Sequence, residues 1–500
     1  MKVLTNREKI LRSFSIIVGA IFLFATWKIS ELHNPLDHTI SLVQYLSIMF
    51  ACYTTLLYIF FVFSSLSQKK FYTSESETKL KHFLHFHTGR KIFQSQLNFY
   101  FFLTLTLSLV AQGIFFHMPA YFNDFFRYLW DGKIFIHGIN PFAYFPWAIH
   151  DTPELHNLSQ VWYWDIMYFK WTHTIYPPFL QYIFAISNLV KEDSAFVLKS
   201  IFWIFNSLSI YFGIKLLQHL KLNILFIAFL IINPLFLFET LSTTHTESII
   251  IFCLLSTLYF FLKKRYFFAG IFFSALILTK FFPIILAPFF FIYLYKMKYP
   301  LKNFFVFFGT TFFSLLLMYF PFFFHIQTPL LYESLRNFSK EWILSPGIFQ
   351  ILFSFLQFLH VSDPFVLAKK LSALLTLLSI ISLYGIFFRS KKIDASYLIF
   401  MSSLSFTFLL LFSSIVASWY VLWILAFIPF VRNRIFALAL SFTIIFQYLL
   451  IYFDNIEHYT YKYIENGQIF SHQILVWIPP ILLSIYCYFR KKCITLCKTH

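Results

Sequence analysis

The length of its apolar runs constrains this chain most. Stretches of about 17 to 25 apolar residues recur along most of the sequence, each long enough to cross a hydrocarbon layer as a helix. Charged residues are 12% of the chain and mean hydropathy is +0.71, whereas a soluble domain carries about a quarter charged residues. Lipid offers no partners to backbone polar groups, so helices must satisfy their own. The expected fold is an all-α integral membrane protein, a polytopic helix bundle of about 13–14 spans plus short re-entrant or surface helices. The runs centre on residues 11–29, 39–66, 92–118, 198–214, 222–240, 246–262, 266–281, 284–295, 303–325, 366–388, 396–414, 418–431, 435–453 and 472–489. Two shorter runs, 175–190 and 347–360, read as re-entrant or surface helices. Residues 1–500 read as one membrane domain, with no convincing repeat, low-complexity linker or appended soluble domain expected.

A net charge of +18 raises nucleic acid as a partner, but its placement argues against one. The basic residues cluster between runs, as in Lys263, Lys264 and Arg265, in Lys296, Lys298 and Lys302, and in residues 389–392, 432–434 and 490–492. That asymmetry marks cytoplasmic loops. Both termini are then cytoplasmic, and residues 119–174, 241–247, 326–346, 415–419 and 454–471 face the extracytoplasmic side. The N-terminal segment lacks a small-residue cleavage site and reads as a retained first span. Cys493 and Cys497 lie in the basic tail and read as free or lipidated rather than metal-binding.

The first large loop, 119–174, opens with YFNDFFRYLWDGKIFIHGINPF, an unusual concentration of charge. Asp124, Arg127 and Asp131 fall at i, i+3 and i+7, on one face of a helix, and Gly132 sits where a C-cap belongs. The pattern predicts an amphipathic helix on the membrane surface. Its charges are either a solvated ladder, with Asn123 or Asp124 as N-cap, or the start of a site. Pro177 and Pro178 suit the first turn of a following helix.

DFFRYLWDGKIFIHGINPF, TIYPPFLQYIF, NPLFLFETLSTTHTES, LILTKFFPIILAPFF and ASWYVLWILAFIPF occur in that order between about residues 120 and 430. Together they resemble the GT-C glycosyltransferases, multi-span enzymes that use polyprenyl-phosphate sugars. The nearest likeness is to the mannosyltransferase-like group of glycosyltransferase family 87 and its relatives. The resemblance implies a GT-C-like external loop with an essential acid, which Asp124 matches. Relatives often carry two acids where this chain has Asn123-Asp124, and His-Asn-Asp where it has His245-Thr246-Glu247.

Sugar transfer from a lipid phosphate needs few protein groups. A carboxylate takes the proton of the attacking hydroxyl, an effect worth about 10²- to 10⁴-fold. Phosphate leaves readily and needs positive charge and hydrogen-bond donors. Asp124 is the candidate base, in a displacement that inverts the anomeric centre, with Arg127 orienting it or binding phosphate. Asp131, His173, Tyr176, His245, Glu247, Lys280 and Arg336 are the other candidate substrate contacts. Several have a structural alternative. Lys280 can snorkel; Thr244 and Glu247 match a capping box; Arg336 and Lys340 can pair with Glu333 and Glu341; Trp419, Tyr420 and Trp423 suit an aromatic belt. HExxH, GxGxxG and P-loop patterns are absent from the sequence, so zinc hydrolysis and cytosolic nucleotide use have no support. No cofactor is expected and no residue is singled out as a metal ligand; the sequence does not decide a divalent-metal requirement. The expected partners are membrane lipid, a polyprenyl-phosphate-linked hexose (mannose by the resemblance) and a glycan or lipid acceptor. The expected setting is the cell (inner) membrane, multi-pass, with an extracytoplasmic site. The alternative is a transporter or flippase for lipid-linked glycans, for which repeats and mid-bilayer charges would be expected.

Overall fold

The computed structural model describes residues 6–32, 38–72, 79–120, 123–323, 333–334, 336, 338, 342–449 and 471–489. The expected loop 454–471 (save residue 471), Lys340, Glu341, Cys493 and Cys497 lie outside the described residues. The described chain is helical. Its helices are α1 (Asn6–Ser30), α2 (Thr39–Tyr72), α3 (Lys79–Phe116), α4 (Asn123–Ile136), α5 (Pro146–His150), α6 (Pro178–Val190) and α7 (Ala195–His219). They continue with α8 (Ala228–Ile231), α9 (Pro234–Leu237), α10 (Glu247–Leu262), α11 (Tyr266–Ile277), α12 (Ala287–Lys296) and α13 (Leu301–Phe323). Then come α14 (Ile348–Phe358), α15 (Pro364–Arg389) and α16 (Ala395–Phe412), and, after short turns, helices Ile435–Thr443 and Ser471–Phe489.

Seven described helices are long and apolar enough to cross a membrane, or eight if one bent pair counts as a span. The protein is thus a polytopic helical membrane protein. Fewer runs are continuous helices than hydropathy predicts, because hydropathy does not register breaks. The run 222–240 is the bent pair: the Asn233 side chain accepts from Leu235 N–H at 3.0 Å, Pro234 starts a new helix, and the two arms bend by 61°. The run 284–295 begins as a 3₁₀ turn, Phe282–Leu286 around Pro283, before the ten-residue α12. The two short runs 175–190 and 347–360 form α6 and α14, of 13 and 11 residues. At about 1.5 Å per residue neither reaches the roughly 30 Å of a hydrocarbon core.

Helix α10 lies at the centre, with α7 and α11 packed on it, and every residue from Glu247 to Leu258 is buried. A helix apolar on all sides belongs there. Helix α13 is its opposite. It buries Phe307, Thr311 and Phe322 and exposes Phe305, Phe312, Phe313, Leu317 and Phe320, a surface suited to lipid. Side-chain caps set other boundaries: Ser194 for α7, Asp363 for α15 and Asp394 for α16.

Helix α4 departs from expectation in two ways. It is not a solvated surface ladder, because every residue from Phe125 to Ile134 is buried, including Arg127, Asp131 and Lys133. Gly132 is also not a C-cap. The helix runs on and closes at Gly138, whose φ is +77°, with Ile139 N–H donating to Ile134 O at 2.9 Å. Gly132 serves packing instead: α6 crosses so close that a Cβ there would lie 2.3 Å from Phe184 O. The Asn188 amide seals that crossing, donating to Leu129 O and Phe184 O at 3.1 Å each.

Candidate active site

Helix α4 holds two carboxylates in contrasting surroundings. Asp131 is fully buried and bonded to Arg127, whose Nε lies 2.7 Å from Oδ1. Arg127 Nη1 donates to Phe169 O and Thr172 O at 3.0 Å each. Gln181 of α6 reaches Asp131 Oδ2 at 3.4 Å and Thr174 Oγ1 and Tyr176 O at 3.0 Å. Arg127 and Asp131 therefore fasten the 169–176 loop and α6 to α4. Asp124 is half-buried and has no hydrogen-bond or ion-pair partner among the described residues. It sits beside Tyr128 and Tyr176, which meet edge to face at 4.9 Å. Burial pushes both phenols well above their usual range, and the Asp124 carboxylate adds to the effect.

Glu247 opens α10, where a carboxylate suits the helix dipole. The expected capping box does not form: Thr246 makes no side-chain cap bond. Thr244, at φ +60°, turns its hydroxyl to Leu241 O and Ser242 O at 3.3 and 3.4 Å. Glu247 is instead fully buried in an ion pair with Lys280 and accepts from Trp423 Nε1 at 3.3 Å. The Lys280 ammonium lies 4.5 Å above the Tyr420 ring and 5.2 Å above Trp423. Trp423 stacks between Tyr420, at 4.2 Å, and Phe282, at 3.9 Å. These aromatics pack inside the protein around a cation rather than forming only an interfacial belt. Asp124 and Glu247 both act electrostatically on Tyr128 and on Tyr420, so the two acids flank one group of tyrosines.

His245 belongs to a third group that joins the second. Its ring stacks on Trp419 at 3.7 Å, and Trp419 packs edge-on to Tyr420 at 5.9 Å. Its Nδ1 lies 3.2 Å from Glu239 Oε2 and 2.7 Å from Thr243 Oγ1. Thr243 Oγ1 is 2.8 Å from the same Glu239 oxygen, and Tyr448 donates to Oε1. Glu239 sits in a π-helical turn, Phe238–Ser242, at the end of the bent pair. Such turns concentrate at functional sites. Sequence reasoning passed over Glu239, although a lone carboxylate in the 222–240 run was a signal: an intramembrane acid needs a reason.

Of the remaining candidates, His173 is half-buried against Phe145 and close to Arg127. Burial lowers its proton affinity, Arg127 lowers it further, and Glu333 opposes both. Arg336 is exposed, unlike the buried members of the three groups. Among the described residues no three His, Cys, Asp or Glu side chains are grouped to hold a metal ion.

Residues 102–296 match the family model described as alpha-(1->6)-mannopyranosyltransferase, N-terminal domain. The matched segment contains Asp124, Glu239, His245, Glu247 and Lys280. No curated protein and no solved structure matches the chain. The match bears out the resemblance to the mannosyltransferase-like group. The chain is a multi-pass membrane glycosyltransferase of mannosyltransferase-like type.

Proposed function

We propose that the protein moves a hexose, mannose by the family match, from a polyprenyl-phosphate donor to a glycan or lipid acceptor, with inversion and with Asp124 as general base. The acceptor oxygen bonds to the anomeric carbon as the bond to the phosphate oxygen breaks. Its electrons leave with the phosphate, and the hydroxyl proton passes to Asp124. The observation that carries this reading is the contrast within α4. Asp131 is committed to Arg127 and the loop, whereas Asp124 keeps its carboxylate without a partner among the described residues, beside the Tyr128, Tyr176 and Tyr420 group. Lys280 supplies positive charge for the leaving phosphate. Glu247 and the Tyr420 and Trp423 rings hold the ammonium in place, and a phosphate shares it with Glu247. Basic loops on the opposite side support a cell-membrane enzyme whose site opens to the extracytoplasmic side.

The test is Asp124→Asn, assayed as purified protein with polyprenyl-phosphate mannose. Asn caps a helix about as well as Asp, so a capping role leaves transfer nearly normal. Loss of the base lowers transfer by at least about a hundredfold with the fold intact. Near-normal transfer removes Asp124 from the mechanism.

A further inference from the structure

We infer that Lys199 is a positioning residue for sugar transfer. Its amine fixes the carbonyls at the end of α3 and so sets where the chain turns toward α4 and Asp124. The consequence for transfer rests on the role proposed above for Asp124; the anchoring of α3 does not.

Lys199 is buried early in α7, and its Nζ donates to Met118 O at 2.5 Å and to Phe115 O at 3.2 Å. Among the described residues no carboxylate pairs with it. Both carbonyls lie where α3 stops. Pro119 has no amide hydrogen and disfavours helical backbone at the residue before it, so the helix cannot run past Met118. Carbonyls at such an end have no intrahelical donor. Phe115 O also accepts from Met118 N–H at 3.2 Å, whereas the carbonyl of buried Met118 is satisfied by Lys199. Apolar packing already holds α3 to α7, through Phe116 against Phe196 at 5.4 Å and Trp203 at 5.1 Å. Burying an amine is unfavourable unless its hydrogen bonds are made, and an intramembrane lysine needs a reason. What the amine adds to the rings is direction, because hydrogen bonds fix a carbonyl's orientation.

The same face of α7 touches the other walls of the site. Phe202, Asn206 and Ser209 follow Lys199 at i+3, i+7 and i+10. Phe202 meets Tyr128 of α4 at 6.2 Å. Asn206 Nδ2 donates to Thr240 Oγ1 at 2.8 Å, in the π-helical turn that carries Glu239. Ser209 Oγ reaches Ser248 O, next to Glu247, at 3.4 Å. Ser242 of the π-helical turn donates in its turn to the Met118 sulfur at 3.5 Å. One face of α7 therefore registers α4, which carries Asp124, against the segment that leads to Glu247 and its partner Lys280. Asp124 lies six residues past Met118, so releasing Met118 moves the base while the Lys280 group stays in place. Lys199 acts through Asp124 and touches no reacting atom.

The test is Lys199→Met in the full chain, assayed with polyprenyl-phosphate mannose. Met keeps an unbranched apolar stem and removes the donors. A base displaced by about 1 Å lowers kcat about ten- to a hundredfold. The donor KM stays within about twofold, because the lost interaction is made only in the transition state. Relief of the buried amine offsets the orphaned carbonyl, so the unfolding midpoint in detergent changes by no more than about 2 °C. In an Asp124→Asn background Lys199→Met adds little further loss, as expected of a residue that acts through Asp124. Hydrogen exchange at the His117 and Met118 amides, which bond to Ile114 O and Phe115 O, rises about tenfold while that of α10 does not. Unchanged kcat per folded molecule, or an undiminished loss in the Asp124→Asn background, overturns the positioning role. A variant that fails to fold, or whose midpoint falls in step with its activity, makes the amine a strut of the fold and overturns it too. Unchanged exchange at His117 and Met118 overturns the anchor itself. Exchange needs no donor, so absence of transfer by the unmodified protein counts against the proposed donor alone.

Discussion

Gly132→Ala tests whether α4 positions the site through its crossing with α6. The added Cβ would stand 2.3 Å from Phe184 O, 2.4 Å from Phe184 C and 2.6 Å from Asn188 Nδ2. The first two are backbone atoms of a buried helix turn and cannot swing aside. Carbon contacts become favourable at about 3.5 Å, so the helices must part by roughly 1 Å. Overpacking of this kind costs about 1–3 kcal/mol. The larger consequence is geometric, because Asp124, Tyr128 and Asp131 move with α4. A displacement of about 1 Å away from the chemistry can cost about 10²-fold in rate. The expected result is a lowered unfolding midpoint in detergent and mannosyl transfer reduced about a hundredfold. Gly113→Ala is the control: in α3 a Cβ at that position meets nothing within 4 Å. It should leave transfer unchanged and gain up to about 1 kcal/mol of helix propensity. If Gly132→Ala matches the unmodified protein in both midpoint and rate, the crossing does not hold the site, and the roles argued for α4 lose their support.

Two further outcomes follow from the same contacts. Arg127→Met strands the fully buried Asp131 and should cost about 3–5 kcal/mol, much of it recovered in Arg127→Met/Asp131→Asn; a double variant as damaged as the single one, by unfolding midpoint, contradicts this. His173 binds protons less well in the folded protein than in the unfolded chain, so its contribution is intact above the unfolded value near 6.5. It is lost as pH falls below that value, because the unfolded chain then takes up the proton more readily. Midpoints measured from pH 7.5 to 5 should decline, and His173→Phe should flatten the decline.

Apolar run length was enough to place the chain in the membrane, and the charge in residues 121–142 pointed to α4. What sequence periodicity does not carry is what lies across from a residue. Asp124 and Asp131 look alike on a helical wheel. One is spent on Arg127 and the other is not, a difference set by the 169–172 carbonyls and Gln181, more than forty residues away. Gly132 looked like a C-cap because a glycine after a charged helix often is one; Phe184 made it a packing residue instead. The Thr244-to-Glu247 spacing fits a capping box, yet the positive φ of Thr244 and the pull of Lys280 on Glu247 direct both residues elsewhere. Glu239 was hidden for the opposite reason. One acid among the apolar residues 222–240 barely changes a hydropathy average, although burying it demands partners drawn from residues 243, 245 and 448. The functional reading therefore turns on the carboxylates, sorted by what each is bonded to. Asp131 holds the loop, Glu247 holds a cation, Glu239 holds a histidine, and Asp124, with no such partner among the described residues, is the carboxylate that the proposed mechanism assigns to the substrate.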